Sequence, residues 1–139
     1  RQLQLAEKYN KPVIVHSRNS IQETYDILKM FHISGSIHAY SGSIEMANEF
    51  IKLGFCIGIG GICTFKNAKK IIDVIKDIDL EYILLETDSP YLTPEPYWGK
   101  INTPSYIPII ANKVAEIKGI DVNLVAEITT KNAVRIFDF

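Results

Sequence analysis

The sequence predicts an α/β fold in which four parallel strands alternate with helices. Three observations predict it. First, four short apolar runs each end in a cluster of polar or glycine residues: Val13-Ile14-Val15 into His16-Ser17-Arg18, Ser36-Ile37 into His38-Ala39-Tyr40-Ser41-Gly42, Phe55-Cys56-Ile57-Gly58-Ile59 into Gly60-Gly61, and Ile83-Leu84-Leu85 into Glu86-Thr87-Asp88-Ser89-Pro90. Buried parallel strands have this form, with active groups gathered where they end. Second, the segments between the runs place apolar residues at helical spacing. Third, the strand–helix repeat recurs at roughly twenty to thirty residues, as βα units require.

The elements follow in order. Leu3, Leu5, Ala6 and Tyr9 suit an opening helix, broken by Asn10-Lys11-Pro12 because proline cannot continue it. Strand Val13–His16 comes next. Ser20 is placed as an N-cap, ahead of a helix carrying Ile21, Tyr25, Leu28 and Phe31. Ser34-Gly35 turns the chain into strand Ser36–His38. Ser41-Gly42-Ser43 caps a helix whose inner face holds Ile44, Ala47, Phe50 and Ile51, and Gly54 closes it. Strand Phe55–Ile59, a helix through Ala68, Ile71, Ile72 and Ile75, and strand Tyr82–Thr87 complete the alternation. Ser89 to Pro104 then breaks the rhythm with four prolines, two tyrosines and the only tryptophan. A loop of that length inside a compact domain is usually functional or disordered, and its aromatic residues argue against disorder. Two helices finish the chain, Ser105 to Lys118 ending at Gly119, and a second capped by Asp121.

The totals set bounds. A chain of 139 residues with 47% hydrophobic content fits one domain with a sizeable core. A formal net charge of −1, with no basic run or acidic tail, argues neither for nor against nucleic acid. Any phosphate contact must then come from a few placed groups or a metal. Cys56 and Cys63, both in or beside apolar runs, read as buried thiols in a reducing compartment. No apolar stretch approaches a membrane span, so a cytoplasmic location is expected. The chain opens on Arg1 inside a helical pattern, so a true N-terminus upstream is expected and the chain reads as a piece of a longer one.

Alternate side chains of a strand share a face. On that rule His16 and Arg18 share a side, as do His38 and Tyr40, and Glu86 and Asp88. His16, His38 and Asp88 would converge from three strand ends, and two neutral imidazoles with a carboxylate suit zinc, manganese or iron better than magnesium. Any one of the three alone reads more readily as structure; three together read as a shared site. Arg18 is placed to hold a phosphate or carboxylate. Glu86, one layer deeper than Asp88, is a hydrogen-bonding support, a direct ligand or a paired structural carboxylate. Lys100 and Asn102 are placed to reach phosphate oxygens, and Tyr91 and Trp98 to stack on bases or to plug a lid. His32, behind Phe31 at a helix end, reads as a surface residue. Gly58, Gly60 and Gly61 do not match a dinucleotide fingerprint and are expected to keep that strand end open for substrate.

These residues resemble the C-terminal part of the TatD-type deoxyribonuclease family, within the metal-dependent amidohydrolase superfamily. The matching stretches are Pro12 to Arg18, Ile37 to Ser43, Leu84 to Leu92, Gly99 to Pro104 and Thr130 to Phe137. The resemblance covers essentially the whole chain, and the Glu86-Thr87-Asp88-Ser89-Pro90 string with two strand-end histidines is its specific part.

The resemblance implies the second half of a (β/α)8 TIM-type barrel, in which residues 1–139 are the C-terminal part of a single metallo-hydrolase domain and the N-terminal half is missing. A complete barrel of this kind needs ~250 residues. It implies a divalent-metal phosphodiesterase acting on DNA, with His16, His38 and Asp88 as metal ligands at the ends of the fifth, sixth and eighth strands. Two divalent ions (Mg2+, Mn2+ or Zn2+) are implied, with the remaining ligands, a His-x-His pair and a Glu, supplied by the missing half. Trp98 stands where the family usually has an arginine, which removes a cation from the loop.

The leading expectation is therefore metal-assisted phosphodiester hydrolysis by the complete protein, with Asp88 and Glu86 in catalytic roles and Arg18, Tyr91, Lys100 and Asn102 on the substrate. One alternative keeps the metal and changes the substrate to an amide or ester, as in a deacylase. Another is an inactive half-barrel that dimerises or docks through strand edges at Val13–His16 and Tyr82–Thr87.

Overall fold

A computed structural model describes residues 1–139. The order is α1 (Gln2–Lys8), β1 (Val13–His16), α2 (Ile21–Leu28), β2 (Gly35–His38), α3 (Ile44–Lys52), β3 (Phe55–Ile59), α4 (Lys69–Asp77), β4 (Ile83–Leu85), α5 (Ile107–Lys118) and α6 (Val122–Phe137). Short 3-10 turns lie at Gly61–Thr64, Leu80–Tyr82 and Pro104–Tyr106. The four strands form one parallel sheet in the order β1-β2-β3-β4, so strand succession in sequence is strand succession in space. β1 and β4 are its edges. The expected α/β alternation and the expected unpaired edges are both present.

The sheet is covered unequally. Its helix-facing side carries Ile37, Phe55, Ile57, Ile59 and Ile83, each 1% exposed or less, in a cluster of 20 buried residues with Phe50, Val74, Ile75, Ile110, Val114 and Val125. Fully burying side chains of this size contributes ~1.5–3 kcal/mol each before the entropy of ordering is subtracted. The opposite side has only a small cluster of Cys56, Leu84 and Ile136, and Ile14 on the β1 edge is 66% exposed. Both cysteines are free and buried.

Local chemistry explains most element ends. The Ser43 side chain accepts from the Met46 amide and caps α3, and the Asp121 side chain accepts from the Asn123 amide and caps α6. Gly119 ends α5 in the left-handed region at φ 66°, where glycine meets no Cβ penalty.

Three expectations need correction. Ser20 does not cap α2 through its side chain; its hydroxyl lies 3.3 Å from that of Ser17. β4 is shorter than Tyr82–Thr87, because Tyr82 closes a 3-10 turn and the sheet pairing ends at Leu85. Tyr40 does not share a side with His38. The strand stops at His38, Ala39 turns left-handed at φ 46°, and Tyr40 is delivered into the core, edge-on to Phe50 at 6.4 Å.

Candidate metal centre at the strand ends

The site begins with register. β1 and β2 pair so that His16 stands opposite His38, and residues opposite each other in a ladder share a face. Their rings lie 5.7 Å apart between centroids, tilted by 44°. Two steps back on the same face are Ile14 and Ser36, the latter buried with an unpartnered hydroxyl. His38, Glu86 and Asp88 line one cleft of about 640 Å³ with Ser36, Leu84 and Phe137.

His38 is held at both nitrogens. Nδ1 lies 2.9 Å from Glu86 Oε2 and Nε2 lies 2.9 Å from Asp88 Oδ1. The second Glu86 oxygen accepts from the Ala39 backbone amide at 2.5 Å. Glu86, one residue past the end of β4, therefore grips the end of β2, binding a ring and a backbone amide with one carboxylate. A hydrogen bond from Nδ1–H to a carboxylate fixes the tautomer in which Nε2 carries the lone pair, the arrangement metal-ligating histidines use. Of the three readings open for Glu86, the geometry favours hydrogen-bonding support.

Electrostatics agree. Burial alone lowers the proton affinity of His38, but the Glu86 hydrogen bond and charge, followed by those of Asp88, outweigh it and raise its pKa above the usual imidazole value. The same negative environment that favours a proton on Nε2 favours a cation there. An imidazole nitrogen and a carboxylate oxygen facing each other form a donor pair that fits a divalent transition metal. His16 flanks this pair from the neighbouring strand. No three His, Cys, Asp or Glu side chains form a closed ligand group in this chain. The donors are thus a facing pair with a neighbouring imidazole.

The Asp88 backbone is unusual. Its φ is 59°, in the left-handed region that aspartate tolerates better than most residues. This turn breaks strand alternation, yet it presents the carboxylate to the same imidazole that Glu86 holds.

The remaining expected residues are placed as follows. Arg18 is exposed, two residues beyond the end of β1. Tyr91 and Trp98 are exposed at 71% and 70%. Lys100 is exposed, with Nζ 5.1 Å from the centre of the Tyr97 ring, which in turn stacks on Tyr106 at 4.9 Å. Asn102 contradicts expectation. It is 2% exposed and its amide nitrogen donates to the carbonyls of Thr87 and Tyr91 at 2.7 and 2.6 Å, so it does not reach phosphate.

The glycines of β3 also need correction. A Cβ on Gly58 would stand 2.5 Å from Glu86 Oε2 and 2.8 Å from its Cδ. A Cβ on Gly61 would collide with the Leu92 carbonyl and stand 3.1 Å from the Pro94 nitrogen. These glycines accommodate the Glu86 carboxylate and the proline-rich loop. Gly58 thus makes room for a side chain of the protein, where the sequence suggested room for substrate. The available signal was a glycine inside a strand, which marks the close approach of another group.

Comparison with known proteins places the chain in a family. The model for "TatD related DNase" matches residues 1–138. The chain is 42% identical over 139 residues to "Uncharacterized metal-dependent hydrolase YabD" of Bacillus subtilis, covering 98% of this chain and 54% of the relative. It is 39% identical over 138 residues to "Uncharacterized metal-dependent hydrolase YcfH" of Escherichia coli, covering 97% and 52%. Among solved structures it superposes on the TatD homolog YjjV of Escherichia coli K12 with a TM-score of 0.92 at 32% identity, covering 99% of this chain and 54% of that one. The chain spans about half the length of the relatives it matches. With four parallel strands, a paired imidazole and carboxylate at their ends, and a family match along almost its whole length, this chain belongs to the TatD-related DNase family.

Proposed function

We infer that the full-length protein is a divalent-metal-dependent hydrolase of DNA phosphodiester bonds, and that this chain is the C-terminal half of its barrel. The observation that carries the reading is the doubly held His38, whose Nδ1 is engaged by Glu86 while Nε2 faces Asp88. His16, His38 and Asp88 would hold metal, with further ligands and a second divalent ion from the other half. The cation would polarise a phosphoryl oxygen and lower the pKa of water toward neutrality.

The chain's own residues supply the rest. Glu86 orients His38 and fixes its tautomer. Asp88 accepts a proton or holds a water molecule by hydrogen bonding. Arg18 and Lys100, both exposed, would neutralise phosphate charge. Tyr91 and Trp98 present rings to solvent on the loop that follows Asp88, as stacking on bases requires. A chain with a net charge of −1 can act on a polyanion because metal ions supply local positive charge.

The test is hydrolysis of a short DNA duplex and single strand by the full-length protein with added Mg2+ or Mn2+. Cleavage that stops with chelator and with Asp88→Asn supports the reading. Cleavage that survives both removes it. A deacylase or amidohydrolase acting through the same site is the competing reading, consistent with relatives named only as metal-dependent hydrolases.

A further inference from the structure

We propose that Asn102 is a positioning residue that sets the Asp88 carboxylate for metal binding by clamping the backbone on both sides of it. The inference rests on the assignment of Asp88 as a ligand. Three hydrogen bonds from this one residue converge on the Asp88 turn. Nδ2 donates to the carbonyl of Thr87 at 2.7 Å and to that of Tyr91 at 2.6 Å. The backbone amide donates to the carbonyl of Pro90 at 3.0 Å. The Tyr91 amide closes the turn on the Asp88 carbonyl at 3.0 Å. The residues immediately before and shortly after Asp88 are thus tied to a single buried side chain fourteen positions away in sequence.

The turn needs such a tie. Asp88 sits at φ 59° and Leu92 at φ 55°. Non-glycine residues in that region carry a conformational cost of ~1–3 kcal/mol each and persist only where surrounding contacts over-determine them. The Asp88 carboxylate is 37% exposed, so packing alone does not hold it. Its direction toward His38 therefore depends on the backbone from which it projects.

The chemistry of the clamp is specific to an amide. Two carbonyl oxygens converge on one nitrogen, which must supply two hydrogens. Aspartate would set a carboxylate against both acceptors, serine offers one hydrogen, and alanine offers none. Asn102 Oδ1 is buried without a partner, which costs free energy. The side chain is thus retained in a place where its acceptor goes unused and both donors are used.

The experiment measures Mn2+ binding by calorimetry on metal-free full-length protein, comparing the parent with Asn102→Ala, Asn102→Ser and Asp88→Asn, with thermal melting alongside. DNA cleavage kinetics are measured at saturating Mn2+. Asn102→Ala is expected to weaken Mn2+ binding by roughly tenfold or more, in the range seen when support behind a metal ligand is removed. Asn102→Ser, keeping one donor, is expected to lie between alanine and the parent. At saturating Mn2+, kcat is expected to fall more than KM rises. Should Asn102→Ala fail to fold, Asn102→Ser decides. Unchanged Mn2+ affinity in the Asn102 variants, with a clear loss in Asp88→Asn, would overturn the clamp and leave the metal assignment standing. Unchanged affinity in Asp88→Asn itself would overturn the metal assignment. A rise confined to KM for DNA would also overturn the clamp, since that is what a loop serving only to shape the Tyr91 and Trp98 surface would show.

Discussion

Gly58 leaves the space that the Glu86 carboxylate fills. Gly58 lies on β3 and Glu86 one residue beyond the end of the adjacent β4, and a Cβ at position 58 would stand 2.5 to 3.0 Å from Glu86 Oε2, Cδ and Oε1. Real Cβ atoms do not approach oxygen that closely. Because the obstructed group is the tip of a flexible side chain, it can swing away at little cost to the fold. The function of the carboxylate cannot move with it, since both of its oxygens are committed, one to His38 and one to the Ala39 amide.

Gly58→Ala is therefore expected to separate stability from function. Thermal melting should shift by no more than a few degrees, because no positive φ is required at this position. Metal affinity should drop by roughly tenfold as Glu86 lets go of His38. Calorimetric titration of metal-free protein with Mn2+ checks this, and an alanine variant binding as tightly as the parent would show that Glu86 keeps its hold by another route.

Glu86→Gln tests the same contact from the other side. Glutamine keeps the length but loses the charge, and it cannot accept from both the imidazole and the Ala39 amide. Glu86 raises the His38 pKa through its hydrogen bond and its charge, against the lowering effect of burial. The pKa of His38 should then fall in the variant. An NMR titration of the imidazole resonances in metal-free protein reads this directly; a pKa that stays or rises would mean that Asp88 alone dominates the ring's environment.

The fold and the site differ in how far the amino-acid order discloses them. Strand and helix positions were legible because β3, as Phe55-Cys56-Ile57-Gly58-Ile59, and α4, with Ile71, Val74 and Ile75 inward, carry periodicities that few other structures satisfy. His16, His38 and Asp88 were legible as strand-end polar groups. What lay beyond reach were contacts set by residues far apart in sequence. Nothing near Gly58 names Glu86, and nothing near Asn102 names the carbonyls of Thr87 and Tyr91. Asn102 looked like a substrate contact because a polar residue in a long loop usually faces water. Tyr40 failed for a more local reason, since alternation holds only while backbone angles remain extended, and Ala39 at φ 46° ends it.

Cys63 gives a pH dependence that is independent of the site. Burial pushes its thiol pKa from 9.0 up to about 12, a rise that the charge of Lys113 only partly offsets. Above pH ~9 the unfolded chain releases this proton while the folded chain keeps it. The unfolded state then binds fewer protons, so the stability from this group is complete below pH ~9 and declines as pH rises toward the folded value. Comparing urea midpoints of the parent and Cys63→Ala at about pH 8 and pH 10.5 isolates it, since the other groups titrate in both proteins. The parent should lose up to about 2 kcal/mol more than the variant across that interval. Equal losses would mean that the thiol ionises in the folded protein as readily as in the unfolded one.

Tyr91 and Trp98 separate the nuclease reading from the deacylase reading. Both rings are exposed, at 71% and 70%, so replacing them with alanine removes little packing and should leave the melting temperature nearly unchanged. Base stacking on an aromatic ring is worth ~1–3 kcal/mol per base, so losing both rings should raise KM for single-stranded DNA by roughly tenfold or more. A small chromogenic phosphodiester such as bis(p-nitrophenyl) phosphate carries no nucleobase to stack, and its hydrolysis should be unaffected. The expected pattern is thus a double variant impaired on DNA and intact on the small diester. If DNA and the small substrate respond alike, the rings do not bind bases. If the full-length protein cleaves an acyl ester or amide far faster than either diester, the site serves acyl transfer, and the exposed rings belong to the recognition of some other group.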